Sequence, residues 1–396
     1  MQPRTSAFNL PPLAQFVQRR ALNFVFLFGA IALVFAAHYG LLDDYIITIV
    51  MLMGINIIFA TSLNVVNGYM GEFSCGHAGF MCVGAYVGSI VSLSLFTGKF
   101  FGAPLLPANL APYLGFLLYP FELLGLDVSI VPSALVFFPL VLLAATLVSA
   151  FFGLIVALPS FQTRDDYLAI ITIAANFIII SIVVNIDAIG GSRGMQGMKQ
   201  TINAMRNMAD IPWMLIWVII STGVCITVLY RLVSSTYGKG ISAVCQNEVA
   251  AEIMGVNTNR VKIMAFMVSS GLAGLAGALY AHVYGYINAT NFDILKSTEG
   301  LVMVYLGGMG SLSGVILAAV AFTLLIEMLR FIIPALNDGL HFINILPDDY
   351  ALSQVWKWVI IPLILILLMQ FRPEGFLGNK ELTNIFPRLK RWFYLK

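Results

Sequence analysis

Charged side chains are scarce in this sequence. They make up 10% of its 396 residues, whereas soluble domains carry about 25%. The formal net charge of +2 is too small to indicate a nucleic-acid partner. Hydrophobic residues account for 60% of the chain, and its mean hydropathy is +0.91. This composition excludes a water-soluble domain and predicts a protein embedded in membrane lipids.

Cysteines and catalytic motifs are also scarce. The four cysteines, Cys75, Cys82, Cys225 and Cys245, show no CxxC pair and no metal-ligand spacing. We therefore expect free side chains and no metal site. The chain lacks the GxxxxGK(S/T) loop that cradles nucleotide phosphates, and its loops show no catalytic arrangement of serine, histidine, cysteine and acidic residues. The sequence thus predicts a protein that is not an enzyme and binds no cofactor itself.

Long apolar runs dominate the chain. A helix needs about 20 apolar residues to cross the hydrocarbon core, and these runs lack the roughly ten-residue alternation of a barrel strand. We predict an all-α polytopic membrane protein of about ten helices, forming one transmembrane domain over residues 21–371. The predicted spans are residues 22–37, 45–66, 80–95, 131–158, 167–186, 213–232, 261–283, a glycine-broken pair within 301–333, and 355–370. The broken pair is either two spans or one span and a re-entrant piece.

Basic residues in short loops indicate the orientation, because they favour the cytoplasmic side. Arg19 and Arg20 precede the first span, and further basic residues fall on the same side if the chain has ten spans. This places residues 1–20 and the basic tail 372–396 in the cytoplasm. The loop 187–212 carries basic residues but lies outside on this count, against the trend.

One polar loop, residues 238–262, stands between two hydrophobic spans. Ile241, Val244 and Val249 recur in it at helical spacing, and several alanines favour a helix. Gly255 is well placed to end that helix. A short helix with one apolar face either docks in a groove of a partner protein or lies on the bilayer surface. The residues alone leave both alternatives open.

The same loop carries a family resemblance. Its run from Asn247 to Gly255, followed by Val256 to Lys262, resembles the coupling loop of LivM-like permeases of branched-chain amino-acid ABC importers. Other stretches resemble that family in the same order along the chain. They are residues 71–80, 164–172, 190–197 and 307–314.

The resemblance implies a passive subunit of the bacterial inner membrane that forms half of a translocation pathway. Its implied partners are a LivH-like permease paralogue, two ATPase subunits that hold ATP and magnesium, and an extracytoplasmic binding protein that delivers the amino acid. The implied substrates are branched-chain or other neutral amino acids, with urea or short amides as the alternative. The residues implied to couple to the ATPase are Gly238, Glu248, Ala250, Ala251, Glu252 and Gly255.

A secondary transporter driven by an ion gradient is an alternative class. Such proteins usually keep a carboxylate or histidine relay inside their spans, and acidic residues are nearly absent from the predicted spans. A cytoplasmic docking loop also has no obvious use in that class. We therefore favour the ATP-driven permease.

Polar and glycine residues within the spans are candidates for the translocation pathway or its gate. The glycines between residues 307 and 314 are too closely spaced for an uninterrupted helix. Broken helices at membrane depth are tolerated where they line a cavity or are buried in protein. The candidates are Asn64, Asn67, Ser74, His77, Gly307, Gly308, Gly310 and Gly314. The polar side chains suit hydrogen bonds between helices equally well. Gly271, Gly274 and Gly277 instead predict close helix packing.

Overall fold

The structure is a computed structural model. It describes residues 28–97, 133–161, 167–206, 211–342, 354–371, 375–376 and 378. The predicted cytoplasmic segment 1–20 and nearly all of the tail 372–396 lie outside these ranges. The predictions for them therefore stay predictions.

The described residues are mostly helical, as the long apolar runs require. The helices are α1 Phe28–His38, α2 Asp44–Asn64, α3 His77–Thr97, α4 Ser133–Ser160, α5 Leu168–Asn185, α6 Met198–Arg206, α7 Trp213–Ser234, α8 Thr236–Gln246, α9 Glu248–Ile253, α10 Thr258–Tyr284, α11 Ile294–Gly307, α12 Leu312–Phe342 and α13 Lys357–Phe371. Six helices in the described ranges are long and apolar enough to cross a membrane, and shorter apolar helices cover Phe28–His38 and His77–Leu93. The prediction of a helical polytopic membrane protein is confirmed.

One small sheet departs from the all-α expectation. Strand β1, Met195–Gln196, pairs antiparallel with β2, Tyr286–Ile287, so that Met195 lies opposite Ile287. Two residues per strand leave no room for an alternating hydrophobic pattern, which is why the sequence did not indicate them. The sheet joins the α5–α6 connection to the end of α10.

Helix α10 forms the centre of the bundle and packs against α2, α3 and α4. In its most apolar stretch 72% of the residues are buried inside the subunit. Its small residues permit this packing, because a side chain on Gly277 would collide with the carbonyl oxygen of Met81 on α3. Likewise, a side chain on Gly274 would collide with Ser149 on α4, and one on Gly271 would press against Ala150.

The glycine-broken pair forms a short helix followed by a long one. Helix α11 has 14 residues, or about 21 Å at 1.5 Å per residue, which is short of the roughly 30 Å hydrocarbon core. Helix α12 has 31 residues. The turn between them needs glycine, because Gly308 and Gly310 have φ angles of 99° and 78°. The predicted broken pair is therefore a short helix and a long helix that meet at this glycine turn.

Candidate functional site

Two interruptions in the helices meet inside the bundle. After α2 the chain makes a π turn, Val65–Tyr69, and an irregular connection, residues 70–76, leads to α3. π turns in helices are rare and occur frequently at functional sites. The other interruption is the glycine turn between α11 and α12. A Cβ added to Gly68 of the π turn would lie 2.5 Å from the backbone nitrogen of Gly310, so the two backbones are in direct contact.

Asn64 ties the two interruptions together. Its Oδ1 accepts a hydrogen bond of 3.1 Å from the backbone N–H of Gly310, and its Nδ2 donates to the carbonyl of Ser311 at 3.5 Å. The side chain is fully buried. Two predicted pathway residues from distant parts of the sequence, Asn64 and Gly310, are thus brought together. Gly307 and Gly314 also touch, and neither has room for a side chain.

Several buried polar atoms beside this junction have no hydrogen-bond partner among the described residues. They include the Nδ2 of Asn67, the Oγ of Ser74 and the Nδ1 of His77, which lie within eleven positions of one another in the chain. The opposite ring nitrogen of His77, Nε2, lies 3.0 Å from the hydroxyl of Ser62. Leaving a buried polar atom unpaired costs about 1–3 kcal/mol, so such atoms are exceptional in native proteins and call for an explanation.

At one end of the bundle, the polar loop forms two short helices where the sequence predicted a single one. Ser235 caps α8 by accepting a hydrogen bond from the N–H of Gly238 at 3.2 Å. Asn247 caps α9 in the same way, with 2.9 Å to the N–H of Ala250. The break falls at Asn247 because a capping asparagine is extended and cannot continue the preceding helix. Gly255, with φ of 86°, follows the end of α9.

The predicted coupling residues divide into buried and accessible ones. Gly238 and Ala251 are buried within the subunit, and Glu248 is partly buried. The accessible ones are Ala250, Glu252 and Gly255. The apolar side chains with the highest exposed fraction in this region are those of Val249, Ile253 and Met254, which are 67%, 81% and 83% exposed. Their helical spacing is visible in the sequence, but which of the apolar residues face outward is decided by packing.

A buried lysine next to these helices was missed from the sequence. The Nζ of Lys262, on the first turns of α10, lies 2.8 Å from a carboxylate oxygen of Glu72 and 2.9 Å from one of Glu248. The side chains of Lys262 and Glu72 are only 7% and 9% exposed. The available signal was one acid and one base: Glu72 lies in the stretch 71–80, and Lys262 ends the polar loop 238–262. Nothing in the sequence relates them, since they lie 190 positions apart.

Cys245, at the end of α8, packs on the same connection. A Cβ on Gly71 would lie 2.7 Å from its sulfur, and Gly71 also has a φ of 77°, so only glycine fits there. Partial burial, and after it the negative charge of Glu72, raise the pKa of the Cys245 thiol. The α8–α9 unit and the connection 70–76 are therefore in close contact.

Comparison with known proteins identifies the family. A family model described as the permease component of branched-chain amino acid transport systems matches residues 45–369. The chain belongs to this family. The resemblance to LivM-like permeases is confirmed, and so is the expectation of a non-catalytic, multi-pass membrane subunit.

The individual relatives are distant but extend over most of the chain. The high-affinity branched-chain amino acid transport system permease protein LivM of Salmonella typhimurium is 26% identical over 93% of this chain and 78% of its own length. A probable LivM protein of Methanocaldococcus jannaschii is 25% identical over 88% of this chain and 97% of its own. The LivH permease of Escherichia coli is 26% identical over 38% of this chain and 42% of its own length. No solved structure matches the chain.

Proposed function

We propose that this chain is the LivM-type subunit of an ATP-driven importer and carries branched-chain or other neutral amino acids across the cytoplasmic membrane. It forms half of the pathway, and a LivH-like permease supplies the other half. Family membership supports this proposal. Further support comes from the similarity to LivH over 151 residues, as expected for two permeases that share a core.

The observation that carries the proposal is the buried polar junction of α2, α3, α11 and α12. An amino acid is a zwitterion, and desolvating its charges in an apolar environment is costly unless polar groups pair with them. Asn67, Ser74 and His77 offer unpaired polar atoms beside two backbone interruptions, where broken helices commonly form binding sites in transporters. We assign the pathway to this junction, with the glycine turn Gly308 to Gly310 as its flexible part.

The α8–α9 helices are proposed to dock on an ATPase subunit. Val249, Ile253 and Met254 expose apolar side chains on a polar loop, which suits helix-in-groove recognition. ATP and magnesium then bind in the two ATPase subunits. This arrangement puts α8, α9 and both termini in the cytoplasm, and the binding protein meets the opposite face.

The test is uptake by a reconstituted system. The chain is expressed with its LivH-like partner, the two ATPase subunits and the binding protein in cells lacking their own importer. We expect uptake of labelled leucine, isoleucine or valine that stops on ATP depletion and resists an ionophore. Uptake that survives ATP depletion but collapses with the ion gradient would reject the ATP-driven class. Uptake of labelled urea or acetamide in place of leucine would reject the proposed substrate.

The docking surface is tested in the same complex. Ile253→Ser removes an exposed apolar contact and leaves the interior of the subunit intact. We expect it to lower co-purification of the ATPase subunits at least fivefold and to leave the thermal unfolding temperature of the isolated subunit unchanged. Ile186→Ser, at the far end of α5 and also exposed at 41%, is the matched control. Equal co-purification of the ATPase subunits with both variants would show that Ile253 is not part of the docking surface.

A further inference from the structure

Lys262 joins parts of the chain that are far apart in sequence. It lies on the first turns of α10, and its ammonium group contacts carboxylates from two other elements. Glu248 is the first residue of α9. Glu72 belongs to the connection 70–76 that leads into α3. One ammonium group between two carboxylates fixes the positions of three elements relative to one another.

The connection that carries Glu72 is itself held at several points. The N–H of Glu72 donates to the carbonyl of Val66 in the π turn at 3.1 Å. The N–H of Ser74 donates to Oδ1 of Asn67 at 3.3 Å, and the N–H of Cys75 donates to the hydroxyl of Thr172 on α5 at 3.2 Å. A displacement of Glu72 therefore reaches the π turn and the polar atoms of the proposed pathway.

The burial of this ion pair distinguishes it from an ordinary surface contact. Exposed ion pairs hold their partners weakly, because water and salt screen them. Lys262 and Glu72 are both more than nine-tenths buried, so separating them would leave two unpaired charges away from water. Glu248 is 36% exposed and stands on the outer side, next to the surface proposed for the ATPase.

We propose that Lys262 is a positioning residue that transmits movement of α9 to the connection 70–76 and so to the pathway. This proposal rests on the proposed function, because it presupposes that an ATPase moves α8 and α9. When the ATPase moves α9, Glu248 moves with that helix and Lys262 follows Glu248. Glu72 follows Lys262 and moves the start of α3. The expected signature is the coupling ratio, the number of amino acids transported per ATP hydrolysed.

The experiment measures ATP hydrolysis and amino-acid uptake in parallel, with the whole complex in proteoliposomes. Lys262→Met is expected to keep the ATPase subunits bound and hydrolysis within twofold of wild type, while uptake falls at least tenfold. The conservative Lys262→Arg should retain at least a third of the wild-type ratio. Arg260→Met, the loss of an exposed charge two residues away, is the matched control and should leave the ratio unchanged.

A charge exchange separates transmission from simple stabilisation. If Lys262→Met fails to assemble, the triple variant Glu72→Lys, Lys262→Glu and Glu248→Lys restores both ion pairs in the reverse sense. We expect it to assemble and to recover the coupling ratio at least fivefold relative to Lys262→Glu alone. Recovery of assembly without recovery of the ratio overturns the proposal. An unchanged ratio in Lys262→Met overturns it too, whereas absence of ATP-dependent uptake by the wild-type complex overturns the proposed function instead.

Discussion

At the scale of single residues, Asn64 shows how a polar side chain is used inside an apolar bundle. A helix end buried in the bundle has backbone groups that water cannot reach, and the glycine turn presents such groups. Asn64 supplies both an acceptor for Gly310 and a donor for Ser311. One amide thus satisfies two backbone groups of a neighbouring helix pair, which an aliphatic residue of similar size cannot do.

Replacement of Asn64 by leucine tests this role. Asn64→Leu leaves the Gly310 N–H unpaired in a buried site, and we expect a loss of about 1–3 kcal/mol in the free energy of unfolding. Chemical unfolding of the purified subunit in detergent measures it. Asn185→Leu is the control, because Asn185 is exposed and its side-chain amide donates to a carbonyl of its own helix, that of Ser181. Equal stabilities of the two variants would contradict the assigned role.

At the scale of elements, the apolar runs determine the helices and close contacts determine their placement. The run 213–232 predicted α7 to within two residues of its observed end at Ser234, because a span is limited locally by the loss of apolar character. In contrast, α3 begins at His77, three residues before the predicted start. Its first three residues, His77 to Gly79, carry little apolar side-chain surface, and the turn is stabilised by tertiary hydrogen bonds, such as that from the N–H of Ala78 to the hydroxyl of Ser297.

The glycines of α10 can be compared with a glycine that has space around it. Gly277→Ala puts a Cβ into the Met81 carbonyl, whereas Gly223→Ala on α7 meets nothing within 4 Å. We expect Gly277→Ala to destabilise the subunit by about 1–3 kcal/mol. Gly223→Ala should be neutral or add up to about 1 kcal/mol from helix propensity. Thermal unfolding of both purified variants is the measurement, and a stable Gly277→Ala would refute the close approach of α3 and α10.

At the scale of the whole molecule, composition was sufficient for the class of protein and the ordered motifs were sufficient for the family. The candidate site was only partly accessible from sequence. Asn64, His77 and the glycine turn stood out because polar or glycine residues are unusual in apolar spans. The ion pair between Lys262 and Glu72 did not stand out in the sequence. Its two members lie 190 positions apart, and hydrophobic periodicity carries no information at that distance.

The orientation of the whole molecule in the membrane can be determined by labelling Cys245. It is exposed, whereas Cys82 and Cys225 are buried, so a membrane-impermeant maleimide should label it from the cytoplasmic face of oriented vesicles and not from the other. Because its thiol pKa is raised, less thiolate is present at neutral pH. We therefore expect slower labelling than for an ordinary cysteine, and a rate that is still rising where that of the ordinary thiol has levelled off.

Controls make this labelling specific. Cys245→Ser should abolish the one-sided signal. Glu72→Gln removes one cause of the raised pKa and should speed labelling at neutral pH. Labelling of Cys245 from the extracytoplasmic face alone would reverse the proposed orientation of α8 and α9.

The two-residue sheet anchors one end of α10. At its far end α10 runs directly into β2, which is bonded to β1, and the hydroxyl of Tyr286 donates to the carbonyl of Arg193 at 3.1 Å. Lys262 lies near the opposite end, about 35 Å away along a helix that rises 1.5 Å per residue. The sheet and this hydrogen bond therefore hold the end of α10 that is farthest from Lys262, so the two ends of the helix are tied to different parts of the chain.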